Sequence, residues 1–438
     1  MIEARQKALD IFLAGVDSVM PDQLMHRYVS VDQNILQIEH LRYDLDTIDH
    51  IYIVGAGKAS AAMAEAIESI LGASITHGHI VTKYNHSIPL QYITITEAGH
   101  PVPDENGRQG TQLIMSIAKE AGENDLVICL ISGGGSALLT DIPDGCTLED
   151  LKTLNSILLK SGADITEMNC IRKHLSNVKG GLLSRLAFPS KVVSLILSDV
   201  IGDPLDVIAS GPTAPDPTTY QDAIAIIRKY NIEHEIPPSI WVLLNEGLEN
   251  KRQETLKESD EINAFTKNLV IGTNKLALST ASEKAESLGY TSTILTNRLQ
   301  GDILEVAAII DKAIRSAVKH NVSAKQCLLF GGEPTIKVHG EGLGGRNQHL
   351  ALLMAKKLAG HPGITFLSGG TDGTDGPTDA AGAVVDADTL SNSSLLNLNI
   401  DDYIQHFDAY HFFEQAGGLI KTGPTQTNVM DLMVVLIN

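Results

Sequence analysis

Residues 51–60 read IYIVGAGKAS. The four apolar residues 51–54 are β-branched or aromatic, so they predict a buried strand. Gly55 and Gly57 mark a turn, and the Ala-rich run 59–71 behind it predicts a helix. Strand, glycine turn and helix in this order make the first half of a parallel crossover unit. The same texture returns at 126–137, LVICLISGGGSA, where an uninterrupted apolar run meets three glycines. Continuous apolar character is what a strand covered on both faces requires. Residues 192–197 repeat it, 80–82 and 92–96 are further strands, and 109–121 is a helix. This alternation predicts a doubly wound, Rossmann-like α/β sheet with helices on both faces.

Outward from that core, Ala8, Ile11, Phe12 and Val16 fall at helical spacing and predict an amphipathic first helix. Between 201 and 240 prolines punctuate the chain and strands are missing. Residues 244–261, LNEGLENKRQETLKESDE, are polar and charged. From 268 the βα pattern resumes, ending in the apolar run 430–436. The expected organisation is an α/β fold of two domains: a larger Rossmann-like domain at 1–240, a charged linker at 241–267, and a smaller α/β domain at 268–438.

The chain has 438 residues, long enough for two or three domains. Lys and Arg number 33 against 53 Asp and Glu, a formal charge of −20. Such a surface repels nucleic acid and anionic membranes, so no nucleic-acid or membrane partner is expected. Any anionic substrate must be held by local positive features. The four cysteines show no CxxC pairing and are expected to be reduced thiols in a cytoplasmic protein. The N-terminus lacks a signal-peptide pattern, and no apolar run reaches the ~18 residues of a membrane span.

Six stretches carry candidate chemistry. The first, 54–60, starts as a dinucleotide fingerprint, but Ser60 stands where the third glycine belongs, and the P-loop spacing is absent. Lys58 lies at a helix start, against the dipole's preference for acids, which points to an anionic ligand as much as to a solvated side chain. The second is Ser132, Gly133, Gly134, Gly135 and Ser136, a candidate anion nest at a strand end. The third holds Arg172, Lys173, His174 and Lys179: a basic patch for an anion, or a solvated helix face ending at glycines. The fourth places Asp199 and Asp203 just past a buried strand, where carboxylates suit Mg²⁺ or hydroxyl deprotonation, or simply a turn. The fifth, 340–348, brings Arg346 to a glycine-rich helix start, where its fork can bind a carboxylate or phosphate. The sixth, 368–379, resembles a calcium loop, but the position of the closing Glu is Ala383; a turn network and a Mg²⁺ loop both fit. These readings assign Gly55, Gly57, Ser132, Gly133, Gly134, Gly135, Ser136 and Lys179 to cofactor binding. Asp199, Asp203 and Asp375 are the metal candidates.

Taken together, VGAGKASAAMA (54–64), GHPVPDENG (99–107), ISGGGSALL (131–139), KHLSNVKGG (173–181), the run 197–219, GGEPTIKVHGEGLGGRNQHLAL (331–352) and SGGTDGTDGPTDAAGAVVD (368–386) resemble the class II glycerate 2-kinase family. Its C-terminal part is called MOFRL. The resemblance covers nearly the whole chain and implies ATP- and Mg²⁺-dependent phosphorylation of D-glycerate at its 2-hydroxyl. It implies two α/β domains with the active site in the cleft between them. The family's essential Lys and Arg fall on Lys58 and Arg346, and Asp199 would accept the proton or hold Mg²⁺ through water. Small-molecule substrates are then the expected partners, and a homo-oligomer is left open. Some members carry the label hydroxypyruvate reductase, so an NAD(P)H-dependent reductase is the alternative; Ser60 argues against it.

Overall fold

A computed structural model describes residues 2–320 and 325–438. The chain forms two compact units: Leu24–Ile271, and the chain up to Gln23 together with Gly272–Asn438.

The first unit is built on a six-stranded sheet. Its strands are β1 (Ile51–Ala56), β2 (His77–Lys83), β3 (Ile93–Ala98), β4 (Leu126–Ile131), β5 (Lys191–Leu197) and β6 (Thr266–Gly272). The order across the sheet is β3-β2-β1-β4-β5-β6. From β3 to β5 every neighbouring pair is parallel. This is the Rossmann order, and its reversal lies between β1 and β4, where open α/β sheets bind ligands beyond the strand ends. Both glycine turns of the sequence, 55–57 and 133–135, leave the sheet at that reversal. Every residue of β1 and of β4 is buried. Helices Leu148–Ser161, Ile165–His174, Tyr220–Lys229 and Pro238–Leu248 add a separate apolar core around Leu158, Ile171, Ile227 and Leu244.

The second unit holds β7 (Thr291–Leu299), β8 (Gln326–Gly332), β9 (Ile364–Gly370), β10 (Gly382–Asp386), β11 (Leu419–Ile420) and β12 (Asp431–Ile437). Their order is β7-β8-β12-β9-β10-β11. Only β7 and β8 are parallel; the C-terminal β12 lies between β8 and β9, antiparallel to both. Asp431, the first residue of β12, pairs with Gly332 and Gly370, the last residues of its two neighbours.

Two boundaries differ from the sequence reading. The first helix, Ile2–Asp17, belongs to the second unit, where the Phe12 ring lies against Gly369. Its apolar stripe is complementary to a sheet face far along the chain, which local periodicity cannot reveal. Nor is 241–267 a linker. Its first part completes helix Pro238–Leu248, which buries Ile240, Leu243 and Leu244, and its end enters β6. Of its charged residues, Glu249, Lys251, Glu258, Glu261 and Lys267 are exposed, while Glu254 and Asp260 are partly buried and pair with His174 and Arg185.

Candidate functional site

The turn after β1 and the turn after β4 are bolted together by main-chain groups. The N–H of Lys58 donates to the Gly133 carbonyl at 2.9 Å. The N–H of Ala59 donates to Ser132 Oγ at 3.0 Å, and Ser60 Oγ donates to the Leu130 carbonyl at 3.0 Å. Ser60 therefore ties the following helix to β4, and Ser132 is a buried clamp rather than a group open to a ligand. Gly55 and Gly57 are likewise used for packing. A Cβ on Gly55 would lie 2.1 Å from the Leu130 carbonyl oxygen, and one on Gly57, at φ +147°, 2.0 Å from Ser132 Oγ. The sequence reading had given these two glycines and Ser132 to the cofactor. The structure spends them on the close approach of two backbones.

The glycines after β4 divide similarly. A Cβ on Gly135 would meet the Ala209 methyl at 2.6 Å, a packing contact. A Cβ on Gly133 would sit 1.9 Å from Asp199 Oδ2, so the Asp199 carboxylate lies directly on this loop. Gly134, in the left-handed region at φ +84°, has Lys58 on one side and His100 on the other. The position of its missing Cβ is 3.3 Å from Lys58 Cγ and 3.0 Å from the His100 ring. Thus Lys58 and Asp199, singled out from sequence, converge on one glycine loop. His100 joins them and was not singled out. The signal for it was present: a His between Gly99 and Pro101, just past the end of β3. Burial, followed by the charges of Lys58 and Lys83, pushes the His100 pKa down to about 4, so its ring is neutral near pH 7.

Gly134, Ser136 and His100 border a cavity of about 620 Å³ within this unit. Leu151, Leu154, Leu175 and Val102 give it apolar walls; Lys152, Asn155, Arg172, Lys179 and Asp141 give it polar ones. A few placed polar groups on apolar walls, at this size, are characteristic of a small-molecule site. Ser136 Oγ shares a 2.9 Å hydrogen bond with Ser210 Oγ. Ala209, Ser210 and Gly211 all have positive φ, at 51°, 60° and 58°. Left-handed backbone costs about 1–2 kcal/mol at each non-glycine residue, and such strain clusters at functional sites. Lys179 is buried, donates to the Leu139 carbonyl, and lies 3.6 Å from Asp141. Burial lowers its pKa, and Asp141 opposes that shift. Lys173 points elsewhere: it is buried between Asp206 at 3.1 Å and Asp216 at 3.2 Å, an internal ion pair. The basic patch of the sequence thus splits, with Arg172 and Lys179 on the cavity and Lys173 and His174 in structural pairs.

The Gly134 position supports a direct prediction. Gly134→Val forces a β-branched residue into a left-handed conformation and drives it toward His100 and Lys58. ATP affinity is expected to fall about tenfold or more with circular dichroism unchanged, since the residue borders the cavity and not the core. Titration calorimetry checks it; unaltered affinity in the folded variant would exclude Gly134 from any nucleotide site.

In the second unit, Arg346 opens helix Arg346–Leu358. Its Nε and Nη2 donate to the two oxygens of Asp431 at 2.6 and 2.9 Å, and its Nη1 lies 3.1 Å from Glu333. Burial alone would lower the guanidinium pKa; the hydrogen bonds and charge of Asp431 more than reverse this and hold it protonated. The two-point fork assigned to a substrate from sequence is therefore already engaged by Asp431. Asp375, a metal candidate from sequence, accepts from the N–H groups of Asn347 and Gln348 at 3.0 and 2.8 Å. It caps the helix that carries Arg346 and is almost fully buried, which pushes its pKa to about 6. Asp203 sits in a turn at φ +56°, a conformation Asp tolerates. Among the described residues no three or more His, Cys, Asp or Glu side chains gather to hold a metal ion.

Similar proteins add an independent line. Residues 7–245 match a domain of unknown function (DUF4147), and residues 326–431 match the MOFRL family. The D-glycerate 2-kinase of Thermotoga maritima is 39% identical, across 99% of this chain and 98% of its own. The glycerate 2-kinase of Pyrococcus horikoshii is 36% identical, across 100% and 98%. A crystal structure of glycerate kinase from Thermotoga maritima superimposes with a TM-score of 0.88 at 38% identity, covering 100% of both chains. A protein of Agrobacterium vitis, 41% identical across 100% of this chain and 95% of its own, carries hydroxypyruvate reductase as a provisional label. With both family regions in order and full-length relatives at these identities, the chain belongs to the MOFRL-containing glycerate 2-kinase family.

Proposed function

We propose that the chain transfers the γ-phosphoryl group of ATP to the 2-hydroxyl of D-glycerate, giving 2-phosphoglycerate and ADP. The observation that carries this reading is the convergence of Lys58 and Asp199 on the glycine loop at the sheet's reversal point. Phosphoryl transfer asks little covalent chemistry of a protein; it asks for in-line placement and for positive charge around the moving group. Lys58 supplies a cation beside Gly134. The open face of that loop and Ser136 border a cavity of nucleotide size. Asp199, whose carboxylate lies against Gly133, would either take the proton of the attacking hydroxyl or hold Mg²⁺ through water. Mg²⁺ bound with ATP would need only one or two protein carboxylates, which Asp199 fits, and would offset charge on the phosphate oxygens. Arg346 has five N–H donors and uses three of them on Asp431 and Glu333 among the described residues, so its fork would still meet an anionic substrate. A cytoplasmic location and small-molecule partners alone go with this reading.

The reductase alternative is not favoured. Its fingerprint glycines must bring backbone to a pyrophosphate, but Gly57 is closed against Ser132, and Ser60 replaces the third glycine. The second strand ends at Lys83, not at an acid that would hold a ribose.

The test is incubation with Mg-ATP and D-glycerate, with the phosphorylated carbon identified by NMR. Formation of 2-phosphoglycerate is expected. Product phosphorylated only on the 3-hydroxyl would overturn the regiochemistry, and NADH consumption without ADP would overturn the kinase reading.

A further inference from the structure

Arg172 is an anomaly among the cations of its unit. It lies in the last turn of helix Ile165–His174 and lines the 620 Å³ cavity, half-buried. Its Nε donates to Asn155 Oδ1 at 2.9 Å, a neutral partner. Among the described residues it forms no ion pair, whereas neighbouring buried or half-buried cations do. Lys173 has Asp206 and Asp216, Lys179 has Asp141, and Arg185 has Asp260. Burial lowers the Arg172 pKa and no nearby anion raises it.

A half-buried charge without a counter-ion gives up part of its hydration with nothing to replace it. The helix C-terminus offsets some of that, on the order of 0.3–1 kcal/mol. A chain with 53 acidic residues had ample means to place a carboxylate opposite Arg172, and has Asn155 there instead. Asn155 fixes the plane of the guanidinium through Nε and leaves the terminal N–H groups for another acceptor. The cavity wall carries Lys152, Arg172 and Lys179 against the one carboxylate of Asp141, so it has an excess of positive charge within an acidic protein. That excess calls for an anionic occupant with oxygens for a fork to grip.

We propose that Arg172, oriented by Asn155, grips the phosphate oxygens of the nucleotide in this cavity. Phosphate is favoured over the acceptor's carboxylate because the cavity's size and its leucine walls suit a nucleoside beside the charged group, whereas glycerate would leave them bare. This rests on the kinase reading. Arg172 is then a binding residue and Asn155 a positioning residue.

The experiment compares Arg172→Gln, Arg172→Lys and Asn155→Ala with the parent protein. It measures ATP, ADP and adenosine affinity by calorimetry, KM for D-glycerate, and ligand-free thermal midpoints. Arg172→Gln should weaken ATP and ADP about tenfold or more while adenosine stays within twofold. Its ligand-free midpoint should hold or rise, because a half-buried charge without a counter-ion is gone. Arg172→Lys, the safer variant for folding, should lose affinity by a smaller factor, and Asn155→Ala should weaken ATP by about threefold or more. The proposal is overturned if Arg172→Gln raises only the KM for glycerate. It also falls if nucleotide affinity is unchanged, or if the midpoint drops without loss of affinity. In each case the parent still phosphorylates glycerate; a parent that neither binds nucleotide nor transfers phosphate overturns the kinase reading as well.

Discussion

Replacing Lys58 with alanine is expected to lower kcat by about 100-fold or more while the protein stays folded. That factor is the scale for losing one oriented contact to charge developing in a transition state. The structural motive is specific. The Lys58 main chain anchors the turn through its N–H to Gly133, and Ala59 anchors it through Ser132; neither bond uses the Lys58 side chain. The side chain instead runs past Gly134, its Cγ 3.3 Å from the point a Cβ would occupy. Truncation should leave the two turns clamped and remove only the cation. Steady-state kinetics with ATP and D-glycerate varied separately, alongside a thermal midpoint, test this. A kcat within threefold of the parent's would remove Lys58 from the chemistry. A collapse of the midpoint would show that its role is structural.

Much of the first unit's fold was legible in the sequence, because its parallel strands are buried on both faces. β1 and β4 stand out as continuous apolar runs, and each is followed by glycines. Helices read at 109–121 and 59–71 are found at Glu105–Glu120 and Ser60–Leu71, displaced at their starts by caps such as Asp104. What was not legible is non-local. The first helix needs a partner, and nothing in 8–16 says that Gly369 lies beneath Phe12. The C-terminal run reads as a strand, but its place between β8 and β9 follows from pairing with segments far earlier in the chain.

The site was half legible for a related reason. Residue type and spacing identify groups able to do chemistry, not where their atoms are spent. Lys58, Asp199 and Gly134 could be expected near one another because strand ends collect at the sheet's reversal point, and they do converge there. Gly55 and Gly57 look the same in sequence, yet their missing side chains make room for Leu130 and Ser132. Asp375 sits in a loop rich in acids and glycines, which suits a metal as well as a turn. Only the helix start at Asn347 and Gln348 reveals it as a cap. Arg172 is one member of a basic run; that it pairs with Asn155 and with no carboxylate among the described residues can be read only in three dimensions.

Arg346→Lys is expected to reduce both stability and activity, and the reason has moved from substrate to scaffold. The parent guanidinium spans both oxygens of Asp431, at 2.6 and 2.9 Å, and reaches Glu333 at 3.1 Å. Lysine keeps the charge but is a single point, so it cannot satisfy both carboxylates in the same plane. Asp431 is fully buried at the start of the central strand β12, so any oxygen left unpaired has no water to turn to. Losing one partner of a fully buried pair costs about 3–5 kcal/mol; with Arg346 partly exposed and one charge contact retained, about 2–3 kcal/mol is expected. Urea unfolding should show the second unit's transition shifted to lower denaturant. The rest of the guanidinium would also be lost, so kcat/KM for D-glycerate should fall about tenfold or more. Asp431→Asn separates the effects, since it unpairs the scaffold yet leaves the guanidinium in place. It should match Arg346→Lys in stability loss and exceed it in retained activity. If Arg346→Lys leaves the unfolding transition unmoved and changes only the KM for ATP, then Arg346 is a nucleotide residue, and its bond to Asp431 carries little of the unit's stability.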